Sequence, residues 1–249
     1  MPKYIDIHCH LDMCENLDEI ILNCKEKNVR ILSNGINIES NRKQIKLKEK
    51  YDIKIALGLY PIDALKLSNE EIDDEIKYIK KQAKENKISA IGEVGLDFKY
   101  DKENIEKQKE IFEKFILLSK ELDIPIIVHS RKAETECIEL LEKHKVKKVI
   151  MHCFTGKKKL FERVLKNNWF VTIPTLVVYS KQFQDFVELA TLSNMFCETD
   201  SPYLHPFREK NNSPDFVIES YKKIAEIKKI TIEELKNIIF MNWQKIFND

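Results

Sequence analysis

Short runs of β-branched and other apolar residues alternate along the chain with longer segments whose apolar positions recur every three or four residues. The first pattern is typical of buried strands, and the second is typical of helices with one core-facing side. In residues 105–122, for example, Ile111, Phe115 and Leu118 fall on one stripe of a helix. The pattern predicts strands at 4–8, 29–33, 53–57, 88–92, 125–129, 148–152, 169–173 and 195–198.

Helices are predicted between and after these strands. The clearest amphipathic segments are 72–83, 105–122 and 133–141, and two further helices at 216–227 and 232–247 close the chain. The last one follows Thr231-Ile-Glu-Glu234, in which a Thr cap precedes a Glu at the third helical position. This is the sequence signature of a capping box.

Alternating strands and helices indicate parallel strands with right-handed crossovers, in either a closed barrel or an open doubly wound sheet. The 249 residues contain no Pro/Gly/Ser-rich linker, and the length is typical of one (β/α)8 barrel. The first strand is not followed by the Gly-rich phosphate loop of a dinucleotide-binding sheet. We therefore expect an α/β protein with one domain over residues 1–249, a TIM (β/α)8 barrel.

Charge and composition limit the possible partners. The 42 basic and 41 acidic side chains leave a formal charge of +1, whereas proteins that wrap duplex DNA are usually clearly basic. Contact with nucleic acid should therefore be local, and no obligate protein partner is inferred. Without a signal sequence or an apolar run of about 20 residues, the chain is expected to be cytoplasmic and free of membranes. The six cysteines lack a C-x-x-C pair and are expected to be reduced, buried thiols.

Six residues with metal-ligating side chains fall at the carboxyl ends of predicted strands, where the active sites of TIM barrels lie. His8 and His10 are two apart on an extended chain, so both imidazoles can face the same ion. Imidazole and carboxylate ligands without thiolate suit Zn, Mn, Fe or Co, and carboxylate-rich sites accept Mg. His144 and His205 lie outside this pattern. The six residues that we expect to converge are His8, His10, Glu93, His129, His152 and Asp200.

The ordered motifs resemble those of TatD-type metal-dependent deoxyribonucleases of the amidohydrolase superfamily. The motifs are Ile5-Asp-Ile-His-Cys-His-Leu-Asp12, Ile91-Gly-Glu-Val-Gly-Leu-Asp97, Ile127-Val-His-Ser-Arg131, His152-Cys-Phe-Thr-Gly156 and Glu198-Thr-Asp-Ser-Pro-Tyr-Leu204. The resemblance runs from Ile5 to about Pro214. It implies a TIM barrel with two divalent ions (Zn, Mn or Mg) that hydrolyses DNA phosphodiester bonds, often as an exonuclease.

The resemblance also implies roles for the six residues. One ion would be held by His8, His10, Glu93 and Asp200, and the other by Glu93, His129 and His152. Glu93 would bridge the ions. Because Asp200 follows the last strand beside the first ion, we expect it to orient a water and accept its proton. Arg208, Asn212 and Pro214 match an Arg-x-x-x-Asn-x-Pro segment that borders the substrate cleft in this family.

Two positions depart from the family pattern. Gly58-Leu-Tyr60-Pro61 stands where the family usually has Gly-x-His-Pro, and Phe98-Lys-Tyr100 replaces Tyr-Tyr-Arg. Neither is a metal ligand, but both are expected to touch the substrate. The substrate-binding candidates are Tyr60, Arg131 and Arg208. Arg131 lies two residues after His129 and is placed to meet a phosphate. Lysines 157–159 are expected to lie on a solvated helix.

Two other functions stay open at this point. The same ions could polarise a carbonyl group, so that the enzyme would hydrolyse an amide or an ester such as aminoacyl-tRNA. A non-catalytic barrel that binds nucleic acid or protein is the third possibility. The intact ligand set argues against it, because an idle site does not need six convergent ligands.

Overall fold

Eight parallel strands form a nearly closed TIM barrel in the computed structural model, which describes residues 3–247. Each strand pairs with the next one along the chain, in the order β1 to β8. The strands are β1 (Tyr4–Cys9), β2 (Val29–Asn34), β3 (Lys54–Leu57), β4 (Ala90–Asp97), β5 (Ile126–Arg131), β6 (Val149–Met151), β7 (Phe170–Pro174) and β8 (Met195–Glu198). The fold class predicted from the sequence is confirmed.

The helices lie between successive strands and after β8. They are α1 (Leu17–Glu26), α2 (Ile38–Lys50), α3 (Pro61–Ala64), α4 (Asn69–Lys84), α5 (Ile105–Leu122), α6 (Glu134–Lys143), α7 (Lys158–Lys166), α8 (Lys181–Leu189), α9 (Val217–Lys228) and α10 (Ile232–Phe247). The capping box before α10 is confirmed: Glu234 N donates to Thr231 Oγ1 at 3.1 Å, and Thr231 N donates to Glu234 Oε2 at 2.7 Å. Within residues 3–247, none of the helices is both long and apolar enough to cross a lipid bilayer.

The ends of β1 and β8 are joined by polar contacts. Asp200 N donates to His8 O at 2.9 Å, and His10 N donates to Ser201 O at 2.7 Å. Deeper in the barrel, the backbone N and the hydroxyl of Thr199 donate to the buried carboxylate of Asp6 at 2.9 and 2.6 Å. These contacts bring residues nearly 200 positions apart in the chain to the same part of the barrel.

The prediction for β4 was wrong at its end. It was expected to stop at residue 92, but the strand continues through Glu93 to Asp97. The register with β5 shifts between Ile91 and Val94, and the register of β1 with β2 shifts between Asp6 and Cys9. Such irregularities redirect side chains and are common beside active sites. Glu93 and His8 lie within these two shifts.

Candidate metal centre

A first group of side chains meets where β1 and β8 end and at the register shift within β4. The Nε2 atoms of His8 and His10 lie 3.3 Å apart. Glu93 Oε2 lies 3.3 and 3.4 Å from these two nitrogens, and Asp200 Oδ1 lies 3.5 and 3.4 Å from them. Each of the two carboxylate oxygens therefore lies within 3.5 Å of both imidazole nitrogens, and the ligand atoms of His8, His10 and Asp200 all lie within 4.8 Å of one another.

The spacing of these atoms fits a cation. Metal–ligand bonds to His nitrogen and carboxylate oxygen are about 2.0–2.2 Å, so the ligand atoms of a tetrahedral site lie about 3.3–3.6 Å apart. The five separations given above, each of which includes a histidine nitrogen, all fall between 3.3 and 3.5 Å. Two imidazole nitrogens that face each other in a buried site also need either a shared proton or a cation between them.

A second group consists of Glu93, His129 and His152, whose ligand atoms all lie within 4.8 Å of one another. Glu93 Oε1 lies 2.8 Å from His129 Nδ1, while its other oxygen belongs to the first group. The two oxygens of Glu93 thus face different groups. The rings of His8 and His152 stack with centroids 3.6 Å apart, so the two groups are adjacent.

Three of the four histidines are held by contacts on their second ring nitrogen. His10 Nδ1 lies 3.0 Å from the carbonyl oxygen of Asn34, and His152 Nδ1 lies 2.7 Å from Glu198 Oε2. His129 Nε2 lies 3.1 Å from Asp97 Oδ2. An acceptor on one ring nitrogen keeps the proton there and leaves the other nitrogen free to bind a metal. His8 Nδ1 is the exception, because it is buried without a hydrogen-bond partner among the described residues.

The electrostatics of the site favour positive charge between the carboxylates. Burial lowers the pKa of His8, but its contacts with Asp200 and Glu93 outweigh burial and raise that pKa well above its usual value. Burial similarly opposes the contacts of His129 with Asp97 and Glu93, which raise its pKa to about 9. Burial also raises the pKa of Glu93 and of Asp200, yet the histidines hold both pKa values below the usual range. The same carboxylates that raise the imidazole pKa values would attract a cation.

A cavity of about 450 Å³ opens above the two groups. Arg131 and Tyr60 line it together with all the ligand candidates except the fully buried His8. The Arg131 guanidinium lies 5.0 Å from the ring centroid of Tyr100 at the same wall. A larger cavity of about 710 Å³ lies at the amino-terminal ends of β2 and β3 and contains none of the six residues.

A model of the family described as TatD related DNase matches residues 5–248. The chain belongs to this family. The TatD-type resemblance predicted from the motifs is therefore confirmed.

The TatD relatives cover almost the whole chain. An uncharacterized metal-dependent hydrolase of Methanocaldococcus jannaschii is 36% identical over 98% of this chain and 97% of its own length. Deoxyribonuclease TATDN3 of Homo sapiens is 30% identical over 98% of this chain and 94% of its own length. The crystal structure of YJJV, a TatD homologue from Escherichia coli, superposes with a TM-score of 0.91 at 22% identity, over 99% of this chain and 98% of that one. At this identity, the structural similarity supports the fold alone. The names of the two relatives agree with the prediction, made from the TatD motifs, that the chain is a metal-dependent hydrolase.

Arg208, Asn212 and Pro214, the three residues of the Arg-x-x-x-Asn-x-Pro segment, do not line the cavity. Arg208 is exposed and stacks on Tyr179, with its guanidinium 4.5 Å from the ring centroid, and it does not line the cavity. Asn212 is buried, and its Nδ2 donates to Thr199 O at 2.9 Å, so it fixes the loop that carries Asp200. His144 and His205, which are not among the predicted ligands, do not line the cavity. His144 contacts Glu113, and His205 Nδ1 accepts from Phe207 N.

Two carboxylates behind the ligand candidates were not identified from the sequence. Asp97 ends one TatD motif and Glu198 begins another, but neither is among the predicted ligands. Both are fully buried in strands that are otherwise mostly apolar. An acidic residue beyond the predicted ligand in a mostly apolar strand was the signal that could have revealed them, since a buried charge needs a partner.

Proposed function

We propose that this protein is a metal-dependent hydrolase that cleaves phosphodiester bonds in DNA with two divalent ions. The first ion would be held by His8, His10, Glu93 and Asp200, and the second by Glu93, His129 and His152. The observation that carries the proposal is the position of Glu93, whose two oxygens face different ligand groups. A carboxylate in this position can bridge two cations.

The ions, when bound, would stabilise charge on a phosphate oxygen and lower the pKa of a water enough for it to lose a proton and attack as hydroxide at neutral pH. Asp200 would orient this water and accept its proton, since its carboxylate projects from the loop after β8 beside His8 and His10. Glu93 and the four histidines would keep the ligand atoms in place. Arg131 would meet a substrate phosphate from the cavity wall.

DNA is the substrate we favour, because a relative that covers the whole barrel is named deoxyribonuclease TATDN3. The shape of the site favours exonuclease action. None of the six side chains is more than 16% exposed, and the cavity of about 450 Å³ has the size of a small-ligand pocket. A chain end can enter such a pocket, whereas the middle of a strand or a duplex would have to bend sharply.

The proposal is tested by measuring bound metal and DNA cleavage on the same preparation. We expect close to two divalent ions per chain and release of nucleotides from end-labelled DNA. Asp200→Asn should keep most of the metal yet lose about 10²–10⁴-fold in turnover, the usual contribution of general base catalysis. Asp18→Asn is the matched control, because Asp18 is exposed and, within residues 3–247, pairs only with Lys50 and Tyr51.

Near-normal turnover in Asp200→Asn would show that another group accepts the proton. Protein without divalent ions would contradict the whole proposal. Cleavage of circular single-stranded DNA would refute exonuclease action, since a circle has no ends.

One observation keeps an amide or ester substrate, such as aminoacyl-tRNA, as the second candidate. Among the described residues that line the cavity, Arg131 is the only lysine or arginine, while Asp63, Glu93 and Asp200 are acidic. A phosphate-binding cleft usually carries more cations. A panel of DNA, RNA, aminoacyl-tRNA and small amides, each assayed with Mn²⁺, Zn²⁺ and Mg²⁺, separates the two candidates by which substrate turns over fastest.

A further inference from the structure

Tyr60 occupies the position at which TatD motifs usually have His, and its hydroxyl group points to a carboxylate behind a ligand candidate. Tyr60 Oη donates to Asp97 Oδ2 at 2.5 Å. The ring of Tyr60 lies edge-on to that of His129, with centroids 5.0 Å apart. The side chain of Tyr60 is half-buried and lies between the cavity and Asp97, the carboxylate that contacts His129.

The two oxygens of Asp97 have different partners. Oδ1 accepts from the backbone N atoms of Lys99 and Tyr100 at 2.9 and 3.1 Å, which fixes the orientation of the carboxylate. Oδ2 is shared, because it accepts from Tyr60 and also lies 3.1 Å from His129 Nε2. The Tyr60 hydroxyl and the His129 ring therefore compete for one oxygen.

His152 provides an internal comparison within the same ligand group. Its Nδ1 lies 2.7 Å from Glu198 Oε2, and this oxygen has no other hydrogen-bond donor among residues 3–247. The corresponding contact of His129 is longer by 0.4 Å. A carboxylate that already accepts a strong hydrogen bond is a weaker acceptor for a second one, and a more weakly held histidine is a less basic metal ligand.

We propose that Tyr60 is a positioning residue that, through Asp97 Oδ2, weakens the support of His129 and so lowers the affinity of the second ion. The inference rests on the proposed two-ion centre. It assigns Tyr60 a role beyond substrate contact, because its hydroxyl group would tune the affinity of the group formed by Glu93, His129 and His152.

The test is a calorimetric titration of metal-free protein with Mn²⁺. The same titration of His152→Ala assigns the steps, because the binding step that it lacks is that of the second ion. Tyr60→Phe removes only the hydroxyl group. We expect it to tighten the second step about threefold to tenfold, a fraction of the ~10–100-fold typical of losing an outer partner of a ligand. The first step should not change. Tyr100→Phe is the matched control, because Tyr100 lines the same cavity and its hydroxyl has no partner among the described residues.

A double-mutant cycle separates positioning from packing. Asp97→Asn should weaken the second step by ~10–100-fold, and adding Tyr60→Phe to it should change nothing further, since the shared oxygen no longer carries charge. An unchanged or weaker second step in Tyr60→Phe, or equal changes in both steps, would overturn the inference. If Asp97→Asn does not fold, the comparison of Tyr60→Phe with Tyr100→Phe still decides. Wild-type protein that binds no Mn²⁺ would instead refute the proposed function.

Discussion

Glu198 lies directly behind His152 at the end of β8. Its Oε2 lies 2.7 Å from His152 Nδ1, and its Oε1 accepts from Cys153 N at 3.0 Å. One carboxylate thus holds both the ring and the backbone that follows β6. An acceptor at Nδ1 keeps the proton of His152 there and leaves Nε2 free for an ion. The geometry of the second ligand group therefore depends on Glu198, which is not one of its members.

Glu198→Gln tests this dependence at the scale of one residue. The amide keeps the shape of the side chain but loses the negative charge that the His152 ring faces. We expect the affinity for the second ion to fall by ~10–100-fold, with little change at the first ion. Metal titration measures both, and Glu188→Gln on the exposed face of α8 is the control. Equal loss at both ions would mean that Glu198 supports the barrel in general.

The sequence was sufficient to predict which ligand candidates converge, but not how they are supported. His8, His10, Glu93 and Asp200 were predicted to meet because parallel strands place their carboxyl ends on one rim. The contacts of Asp97 and Glu198 depend on which face of a strand each side chain takes. In β4 a register shift changes that alternation, and a single sequence does not reveal such a shift.

At the scale of elements, β4 combines a ligand candidate with two tight backbone contacts. A Cβ atom at Gly92 would lie 2.7 Å from the Cβ atom of Ile127, and one at Gly95 would lie 2.0 Å from the carbonyl oxygen of His129. Gly95 also has a φ of +146°, which L side chains rarely adopt. These glycines let β4 approach β5 closely enough for Glu93 and His129 to meet.

Gly95→Ala should therefore destabilise the protein strongly. The unfavourable φ costs about 1–3 kcal/mol, and the overlap with His129 O forces β4 and β5 apart, so we expect a loss of at least about 3 kcal/mol in the free energy of unfolding. Urea unfolding measures this loss. Lys99→Ala, at an exposed position just beyond β4, should stay within about 0.5 kcal/mol of wild type. A loss below about 1 kcal/mol in Gly95→Ala would contradict the close approach.

Only elements with a strong sequence pattern could be predicted with the correct first and last residues. The bounds of α5, α10 and β8 were predicted correctly, because strong apolar patterns or a capping box mark them. Helix α2 was not singled out, since Ile38, Ile45 and Leu47 are its only apolar residues and form no clear stripe. Its position follows from the barrel, in which each strand needs a crossover to the next parallel strand.

For the whole molecule, the proposed centre should connect metal binding to folding. The six ligand candidates lie on or just after five strands, β1, β4, β5, β6 and β8, and span almost 200 residues of chain. They can meet only after the barrel has formed, so an ion should bind the folded state far more tightly than the unfolded chain. Binding then stabilises the fold by mass action.

Thermal unfolding in the presence and absence of metal measures this coupling. A single ion at about 100 times its Kd adds about 2.7 kcal/mol, and a protein of this size gains roughly 2–4 °C per kcal/mol, so Mn²⁺ or Zn²⁺ should raise the Tm by about 5–10 °C over protein in excess chelator. His10→Ala removes a ligand from the first group and should reduce the increase, whereas Asp18→Asn should retain all of it. Identical melting curves with chelator and with metal would mean that these six side chains converge without holding a cation in the folded protein.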